Sequence, residues 1–187
     1  MKATIRLANF GDLSAISGIY NDAVIHTIAT FDTEPRTVEV QNSWFESHKE
    51  RHPILVATLE NKIIGWSSLT PWSERMAYAD TVEISAYVHN EYQRQGIGFG
   101  LTRTIIEKAK VLGIHCIISR IAGENNASIK LHEKLGFNFI GTMREVGRKF
   151  DKLHDVHLYQ LIVRASENNL KRQKEMQDEK KLAINSK

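Results

Sequence analysis

The chain has 187 residues, 42% hydrophobic and 25% charged, with 25 Lys and Arg against 22 Asp and Glu and a formal net charge of +3. These figures suit one soluble globular domain with a full core and a short tail, and so slight a charge makes no case for nucleic-acid binding. The single cysteine, Cys116, excludes an internal disulfide and fits a reduced, cytoplasmic setting, and no apolar run reaches membrane-spanning length.

Residues 4–7 read as a short strand, and Asn9-Phe10-Gly11-Asp12 as a turn in which Asp12 caps the next helix. Leu13, Ile16, Ile19, Tyr20 and Ala23 recur at helical spacing. Thr37 is placed to cap a second helix with Val40, Trp44 and Phe45 turned inward. Residues 54–59 and 63–69 form a predicted hairpin through Glu60-Asn61-Lys62. A polar and aromatic loop, 72–79, leads into a strand from Thr81 to Val88. Its apolar positions run 82, 84, 87 and 88, so the alternation slips near Ser85–Ala86, and a β-bulge or a change of face is expected there. Gln93-Arg94-Gln95-Gly96-Ile97-Gly98 follows, and from Phe99 the period is helical as far as Gly113. A buried strand (115–121), a helix (125–135), and strands at 137–143 and 157–162 complete the order. The prediction is an α/β (α+β) fold: a mixed, mostly antiparallel central sheet flanked by helices. Domain limits are set at 1–165, with a lysine- and glutamate-rich tail at 166–187.

A strand, a glycine loop and a helix in succession aim unpaired amides and the positive end of a helix dipole at one point, which makes an anion site. Glycines 96 and 98 permit close backbone approach, and Arg94 adds charge. A dinucleotide fingerprint is weakened because position 101 is Leu. A second motif opens with Asn125-Asn126-Ala127-Ser128 and ends Leu131-His132-Glu133-Lys134-Leu135-Gly136-Phe137. Asn125 can cap that helix or bond a ligand amide, and Ser128 can bond a ligand near the helix start. No nucleophilic triad and no metal-ligand spacing is visible, so no metal is expected.

Together, and in this order, the two motifs resemble the cofactor motifs of the GNAT N-acetyltransferases. The segments Ile19–Asn21, Ala29–Pro35, Arg75–Tyr78, Thr81–Glu83 and Arg144–Phe150, through His154–Val156, further resemble the phosphinothricin and methionine sulfoximine N-acetyltransferase group. The resemblance implies a GNAT sheet splayed at the cofactor site and acetyl transfer from acetyl-CoA to the amine of a small amino-acid-like acceptor. The main chain of Ala86, Tyr87 and Val88 would hold the pantetheine arm, and Arg94, Gln95, Gly96, Ile97, Gly98 and Phe99 the pyrophosphate. Asn125 and Ser128 would complete that site, while Phe31 and Arg75 would line the acceptor pocket. Glu83 would take the proton of the acceptor amine, directly or through a water, since an α-amino group with a pKa of about 8 is mostly protonated at neutral pH and must lose that proton before attack. The Val88 N–H would donate to the oxyanion, and His132, standing where most of the family has Tyr, would protonate the leaving thiolate or pack structurally. A homodimer is a further implication. Rival readings are a peptide, protein N-alpha or polyamine acetyltransferase, and a CoA-binding sensor without catalysis.

Overall fold

The computed structural model describes residues 3–163, and the tail expected at 166–187 lies outside them. Chain order is β1 (Thr4–Leu7), α1 (Leu13–His26), α2 (Val38–Ser47), β2 (Ile54–Leu59), β3 (Lys62–Pro71), β4 (Thr81–Val88), α3 (Ile97–Val111), β5 (Cys116–Ala122), α4 (Asn126–Lys134), β6 (Asn138–Lys149) and β7 (Lys152–Ile162). The seven strands form one sheet in the order β1-β2-β3-β4-β5-β7-β6. Among the described residues only the β4–β5 pair is parallel. The expected mixed, mostly antiparallel sheet with flanking helices is what forms.

Local chemistry explains most boundaries. Thr37 caps α2 by accepting from the Val40 amide. Asp12 acts differently from expectation: its carboxylate takes both guanidinium nitrogens of Arg6, at 2.6 and 2.8 Å, and the Asn9 amide at 2.9 Å. Arg6 thereby holds the Asp12 carboxyl below its usual range. In α2 Trp44 and Phe45 pack on the α1-side apolar cluster as expected, whereas Val40 is exposed and the buried residue is Gln41. The β2–β3 turn is the two-residue Glu60–Asn61, both left-handed (φ 49° and 65°), and Lys62 already pairs with Leu59.

Two apolar clusters cover the two faces of the sheet. On one, Leu101, Ile105, Ile106 and Ala109 of α3 pack on Val82, Ile84, Ile117 and Ile121. On the other, Ile16, Ile19, Tyr20 and Val24 of α1 pack on Ile54, Val56, Ile63 and Trp66. Strand β4 serves both, and this accounts for its uneven pattern. Its pairing with β3 runs without a register shift from Val82 to Val88, so there is no bulge at Ser85–Ala86. Val88 stays on the α3 face with Val82 and Ile84, and Tyr87 packs on the opposite face against Tyr20 and Trp66. The two adjacent apolar residues are one on each face of a regular strand.

Candidate active site

The opening in the sheet comes from strand divergence. Strands β4 and β5 pair at Thr81–Cys116, Val82–Ile117 and Glu83–Ile118 and no further. Beyond that point β4 continues on β3 to Val88, while β5 continues on β7 to Ala122. The direction of the main-chain groups follows from two bonds. The His89 amide donates to the Ile64 carbonyl, and the Thr81 carbonyl accepts from Trp72. Odd-numbered groups of β4 therefore face β3, and those of Ile84, Ala86 and Val88 face the split. An extended ligand arm can pair there as a missing strand would.

A continuous cavity of about 1230 Å³ passes through this split. It exceeds the size of an ordinary small-ligand site, and so has room for a long co-substrate and an acceptor together. At one end lies the start of α3. Its N-cap is Gly96, in a left-handed conformation (φ 82°) and without a side-chain oxygen to cap the helix. The first amides of α3, at Ile97, Gly98 and Phe99, have no partner within the helix, so this turn suits an anion. Arg94, also left-handed (φ 57°), stands beside it, with Lys130 and Lys134 of α4 along the same wall. These features fit the phosphates of acetyl-CoA.

The α1 side of the cavity carries the acid–base groups. Glu83, on β4, is held by Arg120 of β5 in a forked contact, Nε to Oε1 at 2.6 Å and Nη2 to Oε2 at 2.7 Å. The wall opposite is the loop 27–36. There the Tyr20 hydroxyl donates to Asp32 Oδ2 at 2.6 Å, and Arg36 reaches both Asp32, at 3.0 Å, and the Tyr20 oxygen, at 3.0 Å. Burial, aided by that carboxylate, pushes the Tyr20 phenol up to about 12, and burial likewise raises Tyr87. Both phenols are neutral at working pH. Strand β6 holds this loop from behind: the Lys149 ammonium donates to the Thr30 carbonyl at 2.8 Å, and Phe31 lies flush against Gly147.

The α4 side carries His132. Its Nδ1 meets the Ser128 carbonyl at 2.8 Å and its Nε2 meets Ser119 Oγ at 3.0 Å. A carbonyl can only accept, so Nδ1 bears the hydrogen and the Ser119 hydroxyl donates to Nε2. Burial holds the imidazole below its ordinary pKa, outweighing the bond to Ser128. The neutral ring so formed has no proton to give at Nε2. It orients the Ser119 hydroxyl, which itself lines the cavity.

The cavity wall brings together most residues singled out from sequence: Phe31, Glu83, Ala86, Tyr87, Val88, Arg94, Gly96, Gly98, Phe99, Asn125, Ser128 and His132. Asn125 caps α4 by accepting from the Ser128 amide at 3.1 Å. Gln95 turns its amide back to the Glu91 carbonyl, and Ile97 packs on the core. Arg75 lies on an exposed turn outside the cavity lining, and the guanidinium beside Glu83 belongs to Arg120. Sequence reasoning missed Arg120, Ser119 and the Tyr20–Asp32–Arg36 group. An Arg interrupting the apolar run 117–122 of a central strand is the signal that could have exposed the first.

A split sheet with an uncapped helix start on one side and a carboxylate on the other defines an acyltransferase site of the acyl-CoA type. The profile of the Acetyltransferase (GNAT) family matches residues 17–137, and the chain belongs to that family. It is 37% identical over 163 residues to the L-methionine sulfoximine/L-methionine sulfone acetyltransferase of Pseudomonas paraeruginosa, covering 86% of this chain and 95% of that one. It is 38% identical over 153 residues to the phosphinothricin N-acetyltransferase of Streptomyces coelicolor, covering 80% and 90%. Among solved structures, it resembles a GNAT superfamily phosphinothricin acetyltransferase from Sinorhizobium meliloti in complex with acetyl-CoA, with a TM-score of 0.83 and 30% identity, covering 89% of this chain and 95% of that one. The chain is an acetyl-CoA-dependent N-acetyltransferase.

Proposed function

We infer that the enzyme acetylates the primary amine of a small amino-acid-like acceptor of the phosphinothricin, methionine sulfoximine or methionine sulfone type. The observation that carries this reading is the Glu83 carboxylate. It lies on the acceptor side of the split, in the last β4–β5 pair and immediately before the main-chain groups that face the opening. The names of the relatives point to the same acceptor class.

Acetyl-CoA supplies an activated acetyl thioester. Glu83 takes a proton from the acceptor ammonium, directly or through a water. The freed nitrogen lone pair forms the N–C bond as the C–S bond breaks, the electron pair leaves on sulfur, and the second proton shed by the nitrogen goes to that thiolate to give the free CoA thiol. The Val88 N–H, aimed into the split, is the donor for charge developing on the carbonyl oxygen. Ile97, Gly98 and Phe99 amides, with Arg94, hold the pyrophosphate, and Asn125 and Ser128 complete the co-substrate wall. His132 fixes the orientation of Ser119 on the co-substrate wall by accepting its hydroxyl hydrogen, so the pair acts by positioning and not as an acid. The enzyme works as a cytoplasmic homodimer. Its support is the single buried thiol, Cys116, and the exposed apolar side chains of Phe139, Ile140, Val146 and Phe150 on β6 and its turn.

The test is Glu83→Gln assayed with L-methionine sulfone and acetyl-CoA by free-thiol release. Turnover is expected to fall about 10²- to 10⁴-fold with the Kd for acetyl-CoA nearly unchanged. Unchanged turnover across pH removes Glu83 from the mechanism, and sedimentation as a monomer at micromolar protein removes the dimer.

A further inference from the structure

We propose that Arg120 is the specificity-determining residue of the acceptor site: its guanidinium receives the acceptor's α-carboxylate, and that exchange releases Glu83 to serve as the base. The inference rests on the acceptor class given above and adds to it the group that selects an amino acid over a plain amine.

In the free enzyme both oxygens of Glu83 are occupied by the Arg120 fork, at 2.6 and 2.7 Å. A carboxylate engaged at both oxygens is poorly placed to take a proton from an incoming ammonium. The partner, however, is displaceable. The Arg120 side chain is 52% exposed while that of Glu83 is 17% exposed, so the guanidinium can be reached from the cavity without moving the strand that carries Glu83. One charge-assisted fork can be exchanged for another at small net cost, since both are carboxylate–guanidinium pairs.

An α-amino acid carries its ammonium and its carboxylate on one carbon. Laid head-to-tail across the Glu83–Arg120 pair, the carboxylate meets the guanidinium and the ammonium meets the carboxylate. All four charges are then paired, and the nitrogen to be acetylated rests on its base. The other cations near the acceptor wall are committed elsewhere: Arg36 to Asp32 and Tyr20, and Lys149 to the Thr30 carbonyl. Arg94 stands at the glycine loop, at the other end of the cavity. Arg120 is also steadied from its far side by the ring of Trp72, with Cζ 6.0 Å from the ring centroid, so it keeps a contact while it changes partners.

The experiment compares three acceptors on wild type and Arg120→Ala, using the full chain and free-thiol release: L-methionine sulfone, its methyl ester, and 3-(methylsulfonyl)propylamine, which lacks the carboxylate. Wild type is expected to favour the free acid by at least tenfold in kcat/KM. In Arg120→Ala the KM for the free acid should rise about 10- to 100-fold, as loss of a charged forked contact implies. The KM values for the ester and the propylamine should stay within about threefold, and an unchanged Kd for acetyl-CoA by calorimetry shows that the variant is folded. Arg120→Lys should recover only part of the loss, because an ammonium lacks the fork. Equal losses for all three acceptors, or a wild type indifferent to the carboxylate, overturn the role of Arg120 and leave the acceptor class standing. A wild type that binds acetyl-CoA and acetylates none of the three overturns both.

Discussion

His132 shows how a hydrogen-bond pattern can decide a residue's role where its type cannot. A histidine at this point in the second cofactor motif invites assignment as the acid that protonates the thiolate. The Ser128 carbonyl on Nδ1 and the Ser119 hydroxyl on Nε2 make it a neutral ring that accepts at Nε2, and burial lowers its affinity for a further proton. A general acid typically contributes about 10²- to 10⁴-fold, whereas a positioning group contributes less. His132→Asn is therefore expected to lower kcat by less than about tenfold and to leave the basic limb of the kcat–pH profile in place. Ser119→Ala should lower kcat by a similar factor, and the double variant by no more than either alone, because the two act as one unit. A loss above a hundredfold in His132→Asn, with the basic limb gone, would restore the acid role.

At the scale of elements, the β6–β7 hairpin and the 27–36 loop show what was legible in the sequence and what was not. The glycine loop and α3 were readable because their signal is local: Gly96, Gly98 and a helical stripe from Leu101. The split itself was readable only through family resemblance, since it depends on where two strands distant in sequence stop pairing. Strands β6 and β7 run much longer than their apolar stretches, to Lys149 and from Lys152. Their turn is Phe150–Asp151, two left-handed residues (φ 50° and 59°) that carry no usual turn signature. The extra length of β6 brings Gly147 against Phe31, a long-range packing relation with no local trace. A Cβ at Gly147 would lie 2.3 Å from the Phe31 ring, so the ring and its loop must move. Gly147→Ala should then raise the KM for the acceptor at least severalfold while the Kd for acetyl-CoA, bound at the other end of the cavity, holds. Gly96→Ala should do the reverse. Nothing lies within 4 Å of a Cβ there, so its cost is the left-handed backbone alone, about 1–2 kcal/mol, and it falls on the turn that holds the phosphates. Matched effects of the two variants on both ligands would show that the two ends of the cavity do not act separately.

For the whole molecule, the histidines set the acid side of the stability curve. Burial is the leading cause that lowers His132, His48 and His52 below the ordinary value of 6.5, in each case because the charged ring loses its hydration. A histidine with a lowered folded-state pKa binds its proton more readily when the chain is unfolded. Its contribution to stability is thus complete above pH 6.5, declines as the pH falls below that value, and stops changing once the folded-state pKa is passed. Asp12 titrates in a separate window. Arg6 lowers its carboxyl from 3.8, so its contribution is intact above that value and is lost only at more acid pH. The Tm is accordingly expected to be flat from pH 8 to 7 and to fall steadily from 6.5 to 5. In His132→Gln the slope between pH 6.5 and 5 should be shallower but not absent, since His48 and His52 still charge on unfolding. Melting followed by circular dichroism at half-unit steps measures both slopes. A Tm independent of pH between 8 and 5, or equal slopes in the two proteins, would show that the buried ring takes up its proton without unfolding and that the neutral His132–Ser119 pair is not maintained.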